Sequence, residues 1–425
     1  MSLRRIFTGA LFATALAACA GGVAAQERAS CAIVTRAKLG ACALSASLGL
    51  ESERWRHEAA QGRLTAASPW LPANPSLALT GAQRTDAGGG RTVTNWAATL
   101  SQPLEIAGQR GARRAAASAE LEVAERQRTV MARDVVAQAW ASYFEVLAAR
   151  ELLRVAGKLE AALQQLQRAA QGRAERGLLA PVEADIAEIA LLKAIQQRMA
   201  ADRQMRTSQA NLALAMGVAP AGPELQVAGD LTPLAVAAEA RASEAMRPEI
   251  AALQAEQRAF SERARMFRRA RVPDVTLSVF AQRDGFAERV LGVGVALPLP
   301  LPSPVGRTFS GEIAEAEAMS RRAKTELEKE RRQLSSSLLL ARAEYDSRRA
   351  ELEIFTPERR ARAEQTLLDL ASEIVAGRLS VREAIVTEQS LIEFLRGYVA
   401  ARHALCSASV ELARASGVAF ERGAQ

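Results

Sequence analysis

Two carboxylates, Glu183 and Glu383, each lie six residues beyond a glycine, Gly177 and Gly377, and the two copies are 377 − 177 = 200 residues apart. The stretches are "GLLAPVEADI" from 177 and "GRLSVREAIV" from 377. In the second, Ser380 and Glu383 have the S-x-x-E spacing of a capping box, where hydroxyl and carboxylate each accept from the other's backbone N–H. In the first, Pro181 suits the opening position of a helix, where its missing N–H is not needed. Glycine is the residue that most cheaply ends the preceding helix. The chemistry of both stretches is therefore a sharp corner between helices, with a carboxylate at the positive end of the second one. Leu178, Leu179 and Leu379 add apolar side chains that a corner does not need, which predicts a partner there.

Little else in the chain could carry chemistry. Its histidines are His57 and His403, and its cysteines are Cys19, Cys31, Cys42 and Cys406. Neither C-x-x-C nor H-x-x-x-H spacing occurs, so no metal site of the protein's own is expected. The sequence has no phosphate-binding G-x-x-x-x-G-K-[ST], no H-E-x-x-H and no G-x-S-x-G, so neither an enzyme nor a cofactor is expected. Cys31 and Cys42 on one helix would stand too far apart to bridge, and are expected as small buried apolar residues. The net charge of +8 and pI of about 9.8 admit a nucleic-acid class. However, 47 acidic residues interleave with 55 basic ones, so the reading is a solvated Arg-rich surface and no nucleic-acid partner.

The elements that position the corners read clearly. Arg4 and Arg5 precede an apolar run, and residues 1–25 form a signal peptide too short to span a bilayer. Two cleavage sites remain open: before Cys19, which would make Cys19 a lipidation site, or after Ala25. The segments 75–85 and 93–106, and again 273–283 and 289–301, alternate apolar and small or polar residues as paired strands do. Large Leu291, Val293 and Val295 alternate with Gly292, Gly294 and Ala296, which suits a barrel wall against lipid. Pro103 and Pro298 are expected near strand ends.

Residues 110–176 then show apolar steps of three and four, a seam about 100 Å long if helical. Residues 311–376 repeat this pattern, with a kink expected at Pro357. Helices near 181–216 and 381–416 return from the corners, and shorter helices near 47–67 and 243–271 precede the hairpins. The expected organisation is a first repeat over 40–217, a linker over 218–242, a second repeat over 243–418 and a tail over 419–425. Two open hairpins leave strand edges that a membrane does not tolerate, so several chains must close the barrel. The competing class is a periplasmic coiled-coil scaffold or adaptor.

With its doubled architecture, the chain resembles the TolC family of outer-membrane factors. "LSQPLEIAGQRGARR" (100–114) and "ALPLPLPSPVGRTFSGEIAEAEA" (296–318) are similar to the heavy-metal efflux branch. Ala107 and the segment 302–311 depart from that branch's pattern. The resemblance implies a mainly α fold with a small β part: a duplicated protomer of long coiled helices and two hairpins. As a homotrimer it would form a 12-stranded outer-membrane barrel, bounded by lipid, and a periplasmic helical barrel. It further implies a passive duct partnered by a periplasmic adaptor and an inner-membrane RND pump, exporting heavy-metal cations. Multidrug and type I secretion ducts are the alternative. The matched tip residues are Gly177, Leu178, Leu179 and Ala180, then Gly377, Arg378, Leu379 and Ser380, with Arg378 where an apolar residue is usual. Glu183 and Glu383 fall at the level of a gate ring of six carboxylates, or else only complete their helix N-termini.

Overall fold

The computed structural model describes residues 31, 33–85, 88, 90, 92–218, 225–235, 247–285, 288–302, 304–418 and 420. Cys19 and the signal segment with both cleavage sites lie outside these residues, as does most of the tail. In chain order the elements are β1 (Ile33–Val34), α1 (Leu39–Ala46), α2 (Leu48–Ala66), β2 (Ser76–Thr85) and β3 (Thr92–Leu104). Next come α3 (Gln109–Glu175), α4 (Pro181–Ala215), β4 (Gln226–Val227) and α5 (Pro248–Ala270). The chain ends with β5 (Val275–Arg283), β6 (Arg289–Ala296), α6 (Ser310–Glu353), α7 (Pro357–Val375) and α8 (Val381–Ser416).

Two compact units result, and neither coincides with one repeat. The sheet unit holds residues 49–133 and 241–338, and the tip unit holds residues up to 48, 134–240 and 339–425. Both draw on both halves of the chain because α3 and α6 run from one unit into the other.

In the sheet unit, β2, β3, β5 and β6 form one antiparallel sheet in that order. The register aligns Leu77, Leu100, Val279 and Val293 in one row across all four strands, and Leu79, Ala98, Ala281 and Leu291 in the next. Leu77, Leu79, Leu100, Val279, Leu291 and Val293 are all exposed. Residues on alternate strand positions face opposite ways, so the other face carries Ala78, Thr80, Thr99, Ser278, Gly292 and Gly294. Phe280 lies over Gly292, where a built Cβ would come within 2.4 Å of the ring. The helices of this unit pack closely through alanines, among them Ala60, Ala116, Ala255, Ala264 and Ala323. Ile250, Leu327 and Leu334 form a small buried cluster between them.

The tip unit has the larger side chains. Trp140, Tyr143 and Phe144 of α3 are at most 1% exposed, and their ring centroids lie 5.5–5.7 Å apart. Burying each such ring stabilises by roughly 1.5–3 kcal/mol. Leu159, Leu163 and Leu166 continue this seam toward the corner.

Four expectations are corrected. Cys31 lies ahead of α1 rather than on it, and it is disulfide-bonded to Cys42 with Cα atoms 5.8 Å apart. The turn at 36–38 folds the chain back, which removes the separation that one continuous helix would impose. The expected linker is bound along its described part: β4 pairs in parallel with β1, and Tyr143 Oη donates to the Ala228 carbonyl at 2.8 Å. Ser409 Oγ accepts from the Leu234 N–H at 2.9 Å, and Arg36 donates to the carbonyls of Thr232 and Pro233 at 2.7 and 2.8 Å. At Pro357 the helix breaks instead of kinking, since α6 stops at Glu353 and Thr356 caps α7 through the Arg359 N–H. The last strand ends at Ala296 rather than 301, because Pro298, Pro300 and Pro302 offer no ladder N–H.

Candidate functional site

The two corners close by the same backbone device. Gly177 and Gly377 are left-handed, with φ of 70° and 75°. The Leu178 N–H donates to the Arg173 carbonyl at 2.9 Å, and the Arg378 N–H to the Glu373 carbonyl at 3.0 Å. The Gly177 and Gly377 N–H groups donate three residues back, to Ala174 and Ile374, both at 2.9 Å. These bonds satisfy carbonyls that a helix end leaves open.

The return helices start differently. Ser380 and Glu383 make the full capping box, with Glu383 N–H to Ser380 Oγ at 3.2 Å and Ser380 N–H to Glu383 Oε2 at 3.1 Å. Ser380 Oγ also donates to Glu383 Oε2 at 2.7 Å. These hydrogen bonds, the hydroxyl's first, hold the Glu383 carboxyl below the ordinary value of 4.5. Ala180 offers no side-chain oxygen, so in the first corner the Glu183 N–H donates to the Ala180 carbonyl, at 3.0 Å. The structure thus gives Glu383 the helix-start role and leaves the Glu183 side chain out of such a box.

The apolar character of the corners is uneven. Leu178 is 62% exposed, whereas Leu179 and Leu379 are half-buried. The expectation of leucines fully displayed at both tips is corrected to one, because the third corner residue folds back under each turn. Arg378, at the place of Leu178, instead grips Glu373 through two bonds of 2.6 and 2.7 Å. Arg173 donates to the Ile374 carbonyl and so ties the first corner to the second. Between the corners lies an open cleft of about 220 Å³ bordered by Arg168, Arg173, Arg176, Leu178, Val375 and Gly377. Three guanidinium groups and two exposed apolar side chains thus border it.

Sequence reasoning missed Glu388, on α8 above the second corner. It is 6% exposed and borders a cleft of about 230 Å³ with Leu159, Leu163, Ile186, Ile385 and Lys193. Burial pushes its carboxyl up, while Lys193 and Arg396 pull it back. Its repeat counterpart Glu188 is exposed, so the doubling repeats the residue but not its burial. Among the described residues no three His, Cys, Asp or Glu side chains converge as metal ligands. No described helix is long and apolar enough to cross a membrane.

Residues 41–218 match the family described as outer membrane efflux protein. The matched stretch corresponds to the first of the two repeats. Over 299 residues, 70% of this chain and 71% of the relative, the chain is 28% identical to the cobalt-zinc-cadmium resistance protein CzcC of Cupriavidus metallidurans. Its fold is similar to that of CusC (TM-score 0.73, 16% identity, 90% and 92% of the two chains). It also resembles the Campylobacter jejuni CmeC outer membrane channel (0.73, 13%, 92% and 87%) and VceC of Vibrio cholerae (0.69, 18%, 91% and 97%).

Proposed function

We propose that this protein is the outer-membrane duct of a tripartite pump that exports heavy-metal cations. The observation that carries the duct reading is the sheet. Its outer strands β2 and β6 have open edges, and one face carries exposed Leu77, Leu79, Leu100, Val279, Leu291 and Val293. A bilayer tolerates neither open edges nor an isolated four-stranded sheet, so further copies must complete a barrel. Three chains give twelve strands, a closed ring of a size seen in outer membranes.

The metal assignment rests on the similarity to the cobalt-zinc-cadmium resistance protein. The tips Gly177, Leu178, Leu179, Ala180 and Gly377, Arg378, Leu379, Ser380 are assigned to the adaptor. The basic, apolar cleft between them supports this. Threefold assembly would bring Glu183 and Glu383 of each chain to one level, which we assign as the cation-selecting gate, with Glu383 also capping α8. On this reading the energy comes from an inner-membrane RND pump, and this chain supplies the passage.

The test is a deletion strain compared with its parent on graded Co²⁺, Zn²⁺, Cd²⁺, Cu⁺ and Ag⁺, with a dye and detergent panel alongside. Hypersensitivity confined to metals supports the assignment. Sensitivity confined to dyes and detergents overturns it in favour of a multidrug duct.

A further inference from the structure

The apolar face of the sheet is too short for the membrane it is assigned to cross. Trp96 shares its row with Arg283, which is paired in turn with Arg289, and this polar row marks one border. The last apolar row toward the helices joins Gln102, Leu277 and Val295. From Trp96 to Gln102 the strand advances six residues, about 20 Å at ~3.4 Å each. A tilt of about 40° projects this to roughly 16 Å, against an apolar band of about 25 Å.

The missing height is present next to the sheet, on its helix side. After β6 come Leu297, Leu299 and Leu301, exposed by 53%, 78% and 50%. They carry on the odd-numbered register of Leu291, Val293 and Val295. The prolines between them have no N–H, so this non-strand backbone leaves fewer donors to satisfy at a bilayer boundary than ordinary chain would. Trp70, just ahead of β2, is 81% exposed, and its ring lies 3.9 Å from the Arg110 guanidinium carbon. Among the described residues, Arg110 donates to the Ser68 and Pro69 carbonyls. Arg269 donates to the Ala107 carbonyl and Arg271 to that of Thr308. None of these three charges is spent on a carboxylate in those bonds.

We propose that Trp70 and the Leu-Pro segment 297–302 complete the lipid-facing band at the helix-side boundary. Arg110, Arg269 and Arg271 there form a collar for anionic phospholipid headgroups. Arginine beside a membrane-interface tryptophan meets both the apolar and the charged layer of a leaflet. This inference rests on the barrel reading above.

The experiment reconstitutes the full chain in mixed bilayers that contain phosphatidylglycerol or phosphatidylcholine brominated near the headgroup or near the tail end. Tryptophan quenching is compared among the parent, Trp70→Phe and Trp96→Phe. The emission lost with Trp70 should be quenched about twofold better by shallow than by deep bromines. It should also be quenched preferentially by phosphatidylglycerol. In the Arg269→Gln/Arg271→Gln variant that preference should fall about fivefold per charge. If Trp96 emission is quenched but Trp70 emission is not, or shows no lipid preference, the collar is overturned and the barrel reading stands. Quenching of neither tryptophan overturns both.

Discussion

Phe309 and Gly108 hold the same place in the two repeats, one residue before a long helix, with φ of 53° and 75°. Each carbonyl accepts the first four-residue hydrogen bond of its helix, from the N–H of Ile313 at 3.0 Å and of Ala112 at 3.1 Å. Left-handed backbone costs an L-residue about 1–2 kcal/mol. Phe309 offsets this by stacking on Phe267, with centroids 6.1 Å apart, beneath the Arg307 guanidinium. Phe309→Ala keeps the backbone cost and loses the ring, whereas Phe309→Gly loses the ring alone. Thermal unfolding should therefore rank parent, then Gly, then Ala, with Gly and Ala about 1 kcal/mol apart. At Gly108 a Cβ would meet nothing within 4 Å, so the cost of Gly108→Ala, again about 1 kcal/mol, is all backbone. The tips give a second contrast at this scale. A carboxyl held below its unfolded value contributes stability above that value, and loses it as pH falls through the lowered one. Protection of the Glu383 amide against hydrogen exchange, relative to the Glu183 amide, should be constant down to about pH 5 and fall below 4.5. A constant ratio throughout would mean that the box does not hold the second tip. The sequence displayed this box openly, because its two side chains are three residues apart. It hid Glu388, whose burial depends on α3 and α4 as well as α8.

Among the elements, the segment from Cys31 to Val34 shows why local reading stops short. Two-residue β1 has no pattern of its own. It exists because β4, more than 190 residues away, lies parallel to it, with Ile33 opposite Gln226 and Val34 opposite Val227. The disulfide anchors the same segment to α1. The long helices were legible because their seams repeat over many turns, and so were their ends at Gly177 and Gly377. The break before Pro357 was half legible: a proline signals an interruption, but the full stop needs Phe355 turned against Phe394 and Tyr398, at 5.2 and 6.0 Å. A bridge across a sequence separation of 11 restricts the unfolded chain by about 3 kcal/mol in the loop-entropy account. The Cys31→Ser/Cys42→Ser variant should thus unfold several degrees lower, and added reductant should lower the parent but not the variant. Equal midpoints for parent and variant would show that pairing of β1 with β4 holds the segment without the bridge.

For the whole molecule, the decisive feature is that adjacent residues of one strand face opposite media. Leu79 lies on the apolar face in a row with Ala98, Ala281 and Leu291. Thr80, its neighbour, is on the other face with its hydroxyl donating to the Ala97 carbonyl at 3.4 Å. Both are exposed in the single chain, so a soluble sheet would accept arginine at either with little difference. In a barrel the two cannot be equivalent. An arginine facing lipid costs up to about 2–4 kcal/mol in each chain, most at the midplane and less toward the border of the band. In a trimer that penalty is incurred three times and opposes assembly directly. An arginine facing a water-filled interior retains its hydration, and changes the conductance of the pore more than its stability. Leu79→Arg should therefore deplete the protein from the outer-membrane fraction and abolish the trimer band in unheated gels. Thr80→Arg should assemble normally while altering single-channel current. The reverse pattern would put the apolar face inside and end the barrel reading. Equal assembly of the two would make the sheet an ordinary soluble one. The alternation that makes this pair informative was visible in the sequence, but the row that aligns Leu79 with Leu291 was not. It depends on hairpin registers and on β3 pairing with β5, two strands separated by the whole of α3 and α4.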